Sequence, residues 1–246
     1  LEATFLGDAA NHSDTLMYNL GSVLGEMDKS LQSFKHPAMH RHYDWDVANA
    51  PDGRIYLHHI KDHERRRIAG YFLLQFETEV TPLLNQLRKA YIYSDANDYN
   101  VIVSGSEVTG LIDFGDMVYS NLVNNVAIAC TYAMFQQADV LRAAASVVKG
   151  YHEKFPLTEQ ELSILYYLIA GRLCISVTRS AFNASRNSGN EHHFITEKHA
   201  WELLYKLIRI NPLKAQDSFR RDCGYSGVIN ENDYHNLLKV RKEHVG

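Results

Sequence analysis

Residues 91–117 read YIYSDANDYNVIVSGSEVTGLIDFGDM, and they hold the side chains best suited to chemistry. Asp95 and Asp113 offer carboxylates and Asn100 an amide, hard oxygen donors of the kind Mg²⁺ accepts, and Mg²⁺ usually arrives carrying nucleotide phosphates. The three act together only if the chain folds back on itself. Two runs rich in β-branched residues, 100–103 and 108–114, flank a Ser-Gly-Ser-Glu tetrad at 104–107, a pattern that predicts a β-hairpin. Closing it brings Asp95, Asn100 and Asp113 to one end of a small sheet. The bland alternative is a solvated hairpin whose Asp and Asn residues only form turns. That reading leaves the apolar frame around Asp113 unexplained.

These residues also carry a resemblance. The run YSDANDYN at 93–100 resembles the H-x-D-x-x-x-x-N catalytic loop of the aminoglycoside phosphotransferase and choline kinase families. The run IDFGD at 112–116 resembles their I-D-F/W-x-D metal motif, and order and spacing agree. The hydroxylysine kinase-like branch, with its N-D-x-N run and D-F-G-D-M string, is the nearest in pattern. The resemblance implies roles: Asp95 as the base that accepts the substrate hydroxyl proton, Asn100 and Asp113 as Mg²⁺ ligands, and Asp116, Tyr93 and Asn97 as auxiliary residues. It also implies ATP as phosphoryl donor. Phosphoryl transfer asks little covalent chemistry of a protein; it needs an aligned hydroxyl and positive charge on the γ-phosphate oxygens. Two departures stand out. Tyr93 occupies the position of the family's loop-buttressing His, and Asn125 lies where an acidic residue is common.

The implied fold is mainly α with a small β-hairpin sheet, the C-terminal lobe of a protein-kinase-like (aminoglycoside phosphotransferase) fold spanning 1–225. A polar, basic tail or linker follows at 226–246. It resembles the linker that leads, in some bacterial fusions, toward a class III aminotransferase. No phosphate-covering loop, strand Lys or helix Glu of an N-terminal β lobe is recognisable before Asp95. With Leu1 in place of Met, the expectation is a piece of something longer, weakly active or inactive alone.

Stepping outward along the chain, Ser13 and Asp14 can cap a helix whose Leu16, Leu20, Val23, Leu24 and Met27 recur at three- and four-residue steps. Gly21 and Gly25 inside it suggest close packing rather than a phosphate cradle. Trp45 and Asp46 fit either the rim of an acceptor pocket, as in related kinases, or a buried Trp beside a capping Asp. A helical pattern over 62–88 meets Pro82, which should kink or divide it. Further helices are expected at 121–137, 139–155, 159–186 and 191–210, with a turn at 187–189. Arg172, on an otherwise apolar helix, needs a buried acceptor.

Composition bounds the rest. The 246 residues are 46% hydrophobic, enough for a proper core. A net charge of −4 argues against nucleic-acid or anionic-membrane partners, and no run of eighteen apolar residues occurs. The widely spaced Cys130, Cys174 and Cys223 read as reduced thiols of a cytoplasmic protein. The thirteen histidines form no metal motif.

Two functions therefore stand side by side. One is a phosphotransferase lobe acting on a small-molecule hydroxyl acceptor, an amino alcohol or hydroxylated amino acid, and completed by a missing N-terminal lobe or fused domains. The other is a non-catalytic kinase-like binding or docking module within a larger multidomain protein.

Overall fold

The computed structural model describes residues 2–10, 12–186 and 192–228. Its elements in chain order are β1 (Thr4–Phe5), α1 (Asp14–Ser30), α2 (His63–Glu79), β2 (Lys89–Ile92), β3 (Val101–Ser104), β4 (Glu107–Leu111), β5 (Val118–Asn121), α3 (Val123–Ala133), α4 (Val140–Lys154), α5 (Glu159–Arg186), α6 (His192–Leu207) and α7 (Pro212–Asp222), with a 3₁₀ stretch at Val47–His59. The fold is mainly α, with two small antiparallel sheets, β1-β3-β4 and β2-β5.

The helices begin where side-chain acceptors meet free N–H groups. Ser13 Oγ accepts from the Leu16 N–H at 3.2 Å, and Asp62 Oδ1 accepts from the Arg65 N–H at 2.8 Å. At the start of α5, Thr158 and Glu161 cap each other's backbone N–H groups in a capping box. Helix α2 is shorter than the sequence pattern suggests: it ends at Glu79, before Pro82 rather than kinked by it. A proline disfavours helical geometry in the residue before it, so the chain turns through 80–88 instead. Helices α1 and α4 touch backbone to backbone. A β-carbon on Gly21 would collide with the Val147 carbonyl oxygen, and one on Gly150 with that of Tyr18.

Sheet register explains why the two motif segments meet. In β2–β5, Ile92 pairs with Val118; in β3–β4, Val101 pairs with Leu111 and Ser104 with Glu107. Segments 93–100 and 112–117 therefore leave and enter the sheets at the same end, side by side. Gly105 turns the hairpin at a φ of +62°. The second strand stops at Leu111 rather than at 114, because Asp113 leaves the extended region for a left-handed conformation.

Helix α5 runs through the middle of the core, against the 3₁₀ stretch, α2, α3, α6 and α7. Its length and hydropathy suffice to cross a membrane, a signal that counting uninterrupted apolar runs passes over. The apolar window is 83% buried inside the fold, so α5 is accounted for as a core helix. Cys130 and Cys174 are buried and unpaired, and Cys223 is half-buried and unpaired. The expected turn at 187–189 and all but the first three residues of the 226–246 tail lie outside the described residues.

Candidate active site

The loop 93–100 is fixed beneath the sheets by a buried polar chain. Ser94 sits at φ +66°, strained for a residue with a β-carbon. Its N–H donates to Asn125 Oδ1 at 3.1 Å, and Asn125 Nδ2 donates to both Asp28 oxygens at 3.0 Å. Tyr151 Oη donates to Asp28 Oδ2 at 2.6 Å. Because the Asn125 NH₂ group faces a carboxylate, its carbonyl oxygen faces Ser94; Asp28 thus decides which way the amide points. Burial pushes the Asp28 carboxyl up to about 7, against the opposing pull of Tyr151 and Asn125. Asp28 has no counterpart in the sequence reading. The signal was present, since it falls four residues after Leu24 on the buried stripe of α1.

Asp95 follows Ser94 and is largely buried. Its Oδ2 accepts from Asn100 Nδ2 at 2.6 Å and from Asn97 Nδ2 at 3.0 Å, while Arg172 Nη2 lies 3.5 Å from Oδ1. Burial raises its affinity for a proton; Arg172 and Asn97 pull the other way, and the charges of Asp116 and Asp113 add to the rise. The balance leaves Asp95 above the ordinary aspartate value, a direction that suits a proton acceptor. Arg172 finds the acceptors its helix lacks in Asp95 and in Tyr132 Oη, 3.0 Å away.

Asn100 turns its Nδ2 toward Asp95, which leaves Oδ1 as its acceptor atom. Its backbone carbonyl accepts from the Ile112 N–H at 3.0 Å, which sets Asp113 beside the loop. Asp113 is exposed, at φ +58°, with Oδ1 accepting from the Gly115 N–H at 3.2 Å. Tyr93 is fully buried; its Oη donates to the Ile112 carbonyl and its ring meets Phe114 at 5.0 Å. The residue in the family's His position therefore ties the loop to the metal-motif turn.

Among the described residues no three His, Cys, Asp or Glu side chains form a metal cage. A carboxylate from Asp113 with an amide oxygen from Asn100 nonetheless fits Mg²⁺, which binds through one or two protein ligands plus phosphates and water.

Asp95 opens onto a cleft of about 270 Å³ walled by Trp45, Asn97, Asp116, Tyr132 and Arg172. Asp116 accepts from the Tyr43 hydroxyl, whose proton is held more tightly first by burial and then by that bond. Trp45 and Asp46 separate. Trp45 faces the cleft, whereas Asp46 is buried, caps the 3₁₀ stretch through the Ala48 N–H at 3.1 Å, and accepts from Ser120 Oγ at 2.8 Å and Asn124 Nδ2 at 3.1 Å.

Residues 2–161 match the model of the phosphotransferase enzyme family. The chain belongs to that family. The bovine (Bos taurus) hydroxylysine kinase is 29% identical over 207 residues, 78% of this chain and 55% of that protein. The Xenopus laevis hydroxylysine kinase is 30% identical over 208 residues, and the homoserine kinase of Zymomonas mobilis 27% over 155. This phosphotransferase-family chain spans about half the length of the curated relatives it matches. Among solved structures, an amicoumacin kinase in complex with AMP-PNP, Ca²⁺ and Ami aligns with a TM-score of 0.56 at 16% identity, covering 83% of this chain and 64% of that one. An aminoglycoside phosphotransferase from Alicyclobacillus acidocaldarius aligns at 0.55 and 13% identity, covering 87% and 68%. At such identities the likeness is one of fold, and it is the fold the motifs implied.

Proposed function

We propose that the protein containing this chain is an ATP-dependent small-molecule kinase, acting on a hydroxyl of an amino alcohol or hydroxylated amino acid. The carrying observation is Asp95: a buried carboxylate, raised in proton affinity, oriented by Asn97, Asn100 and Arg172 at the wall of a cleft. Family membership and relatives named hydroxylysine kinase and homoserine kinase support the reaction class.

In this reading the acceptor hydroxyl enters the cleft beside Asp95. Its oxygen bonds to the γ-phosphorus, its proton passes to an Asp95 carboxylate oxygen, and the bond to the β–γ bridging oxygen breaks to release ADP. Asn97 and Asn100 hold the Oδ2 side of Asp95, which leaves the Oδ1 side toward Arg172 and the cleft. Asn100 Oδ1 and Asp113 would hold Mg²⁺, which when bound neutralises charge on the phosphates. Residues 1–225 make up the kinase-like lobe, and the nucleotide-clamping lobe or fused domains come from further sequence. The setting is cytoplasmic, and neither nucleic acid nor membrane takes part.

Asp95→Asn tests the role of the carboxylate. In the whole protein it should lower kcat by about 10²–10⁴-fold, the usual worth of general-base catalysis, with nucleotide affinity kept. Unchanged turnover removes Asp95 from the mechanism, and no turnover in the parent favours the docking module.

A further inference from the structure

The cleft has a second polar wall, on helix α5. Helix α5 presents Arg172, Ser176, Arg179, Ser180 and Asn183 to it, residues three or four apart on one helix face and therefore on one stripe. Elsewhere this stretch of α5 is apolar core, from Leu168 and Ile169 to Leu173, Ile175 and Val177. Most of that stripe is already met within the fold, Ser176 by the Arg172 carbonyl, Arg179 by Asp44 and Ser180 by Glu197, which leaves Arg172 as its buried member still short of acceptors.

Arg172 is the centre of that stripe. Its side chain is only 5% exposed, and its guanidinium is stacked 4.9 Å from the centre of the Trp45 ring and 5.7 Å from that of Tyr132. Of its nitrogens, Nη2 has Tyr132 Oη and more distantly Asp95; Nε and Nη1 have no hydrogen-bond partner among the described residues. A buried guanidinium whose N–H groups lack acceptors is expensive, and a planar carboxylate is the group whose geometry suits it. Arg179 lies two helical turns on. Its guanidinium lies 5.9 Å from the Trp45 ring centre and holds Asp44 at 2.9 Å. Across the cleft stand Asp95 and Asp116, and Glu197 lines it beside Ser180, so acids and the two arginines face the same space. A purely cationic amino alcohol would satisfy the acids and leave Arg172 Nε and Nη1 without an acceptor. A zwitterion satisfies both.

We propose that Arg172 is the carboxylate receptor of the acceptor site, so that the acceptor is a hydroxylated α-amino acid rather than its decarboxylated amino alcohol. This rests on the phosphotransferase reading of the cleft and narrows it. Trp45 covers the guanidinium, so the carboxylate enters against the Trp45 ring, and the ring is the part of the wall that must shift. The same guanidinium touches Asp95, which couples seating of the acceptor to orientation of the base.

The test pairs each ligand with its decarboxylated twin on the unaltered whole protein: L-homoserine against 3-aminopropan-1-ol, and 5-hydroxy-L-lysine against 1,5-diaminopentan-2-ol. Titrations are run by calorimetry with Mg²⁺ and AMP-PNP present, and AMP-PNP binding is measured separately. At least one amino acid should bind roughly 10- to 100-fold more tightly than its twin, the worth of a hydrogen-bonded charge. Arg172→Gln should abolish that ratio, and Arg172→Lys should restore part of it. Should the Gln variant fail to fold, the ligand-side ratio on the unaltered whole protein still decides, with Trp45→Ala as the second variant, expected to change the amino-acid affinity more than that of the twin. Equal affinity within both pairs, or no binding of either amino acid, overturns the assignment. If AMP-PNP binds in that case, the kinase reading survives it; if AMP-PNP fails to bind as well, both fall.

Discussion

Asp28 shows how far from the reacting atoms a single carboxylate can act. It touches neither cleft nor metal motif, yet through Asn125 it sets the N–H of the strained residue before Asp95. With a folded-state value of about 7 against an ordinary 3.8, the folded chain binds its proton more tightly than the unfolded chain. The unfolded state then holds fewer protons across that window, so this group's contribution to stability falls as pH rises from about 4 to about 7 and is flat beyond. Urea midpoints at pH 5 and pH 8 should show the parent losing stability relative to Asp28→Asn, on the order of a few kcal/mol. Asp28→Ala strands the Asn125 and Tyr151 donors and should cost roughly 2–5 kcal/mol at pH 5 and less at pH 8, with faster hydrogen exchange at the Ser94 amide. A flat difference across pH would mean that Asp28 stays ionised throughout.

Between elements, the α1–α4 contact is where the least change does the most damage. Gly21 and Gly150 each let a backbone carbonyl of the other helix into the space a side chain would fill, and Asp28 and Tyr151 lie on these same two helices. Gly21→Ala and Gly150→Ala should each destabilise by about 1–3 kcal/mol or more, because backbone cannot step aside as a side chain does. The damage should reach the site, since parting α1 from α4 separates Tyr151 from Asp28. Thermal unfolding together with Ser94 amide exchange checks both halves. Gly25→Ala is the milder control, because the nearest atom to its added β-carbon, the Tyr151 carbonyl oxygen, lies 2.8 Å away against 1.9 Å at Gly21 and Gly150.

For the molecule as a whole, the site is made by two small sheets whose ends coincide, set against a bundle threaded by α5. Ligand binding to such a junction stabilises the fold by mass action. Mg²⁺ with a nucleotide analogue at a hundred times its dissociation constant should raise stability by about 2.7 kcal/mol, visible as a shift in Tm. Asp113→Ala should abolish the Mg²⁺-dependent part, because Asp113 is exposed and its loss leaves the core intact. At the same nucleotide concentration, a chain extended to include the remaining length of its relatives should be stabilised more. Equal shifts with and without Asp113 would remove it from the metal site.

The sequence by itself determined the local decisions. β-Branched runs around Gly105 made a hairpin, Ser13 and Asp62 capped helices, and the motif residues 93–100 and 112–116 carried the family, because each depends on neighbours within a few positions. The helical pattern over 62–88 ran past the helix end at Glu79 for a local reason too, the restriction on the residue preceding Pro82. Only the tertiary structure decided which of Trp45 and Asp46 meets the cleft, that Asn125 is backed by Asp28 across 97 positions, and that Arg172 reaches Asp95. Those pairings are set by which faces of distant helices the core brings together. A pattern of apolar residues says that a face is buried, and the partner it is buried against is chosen by the packing of the whole chain.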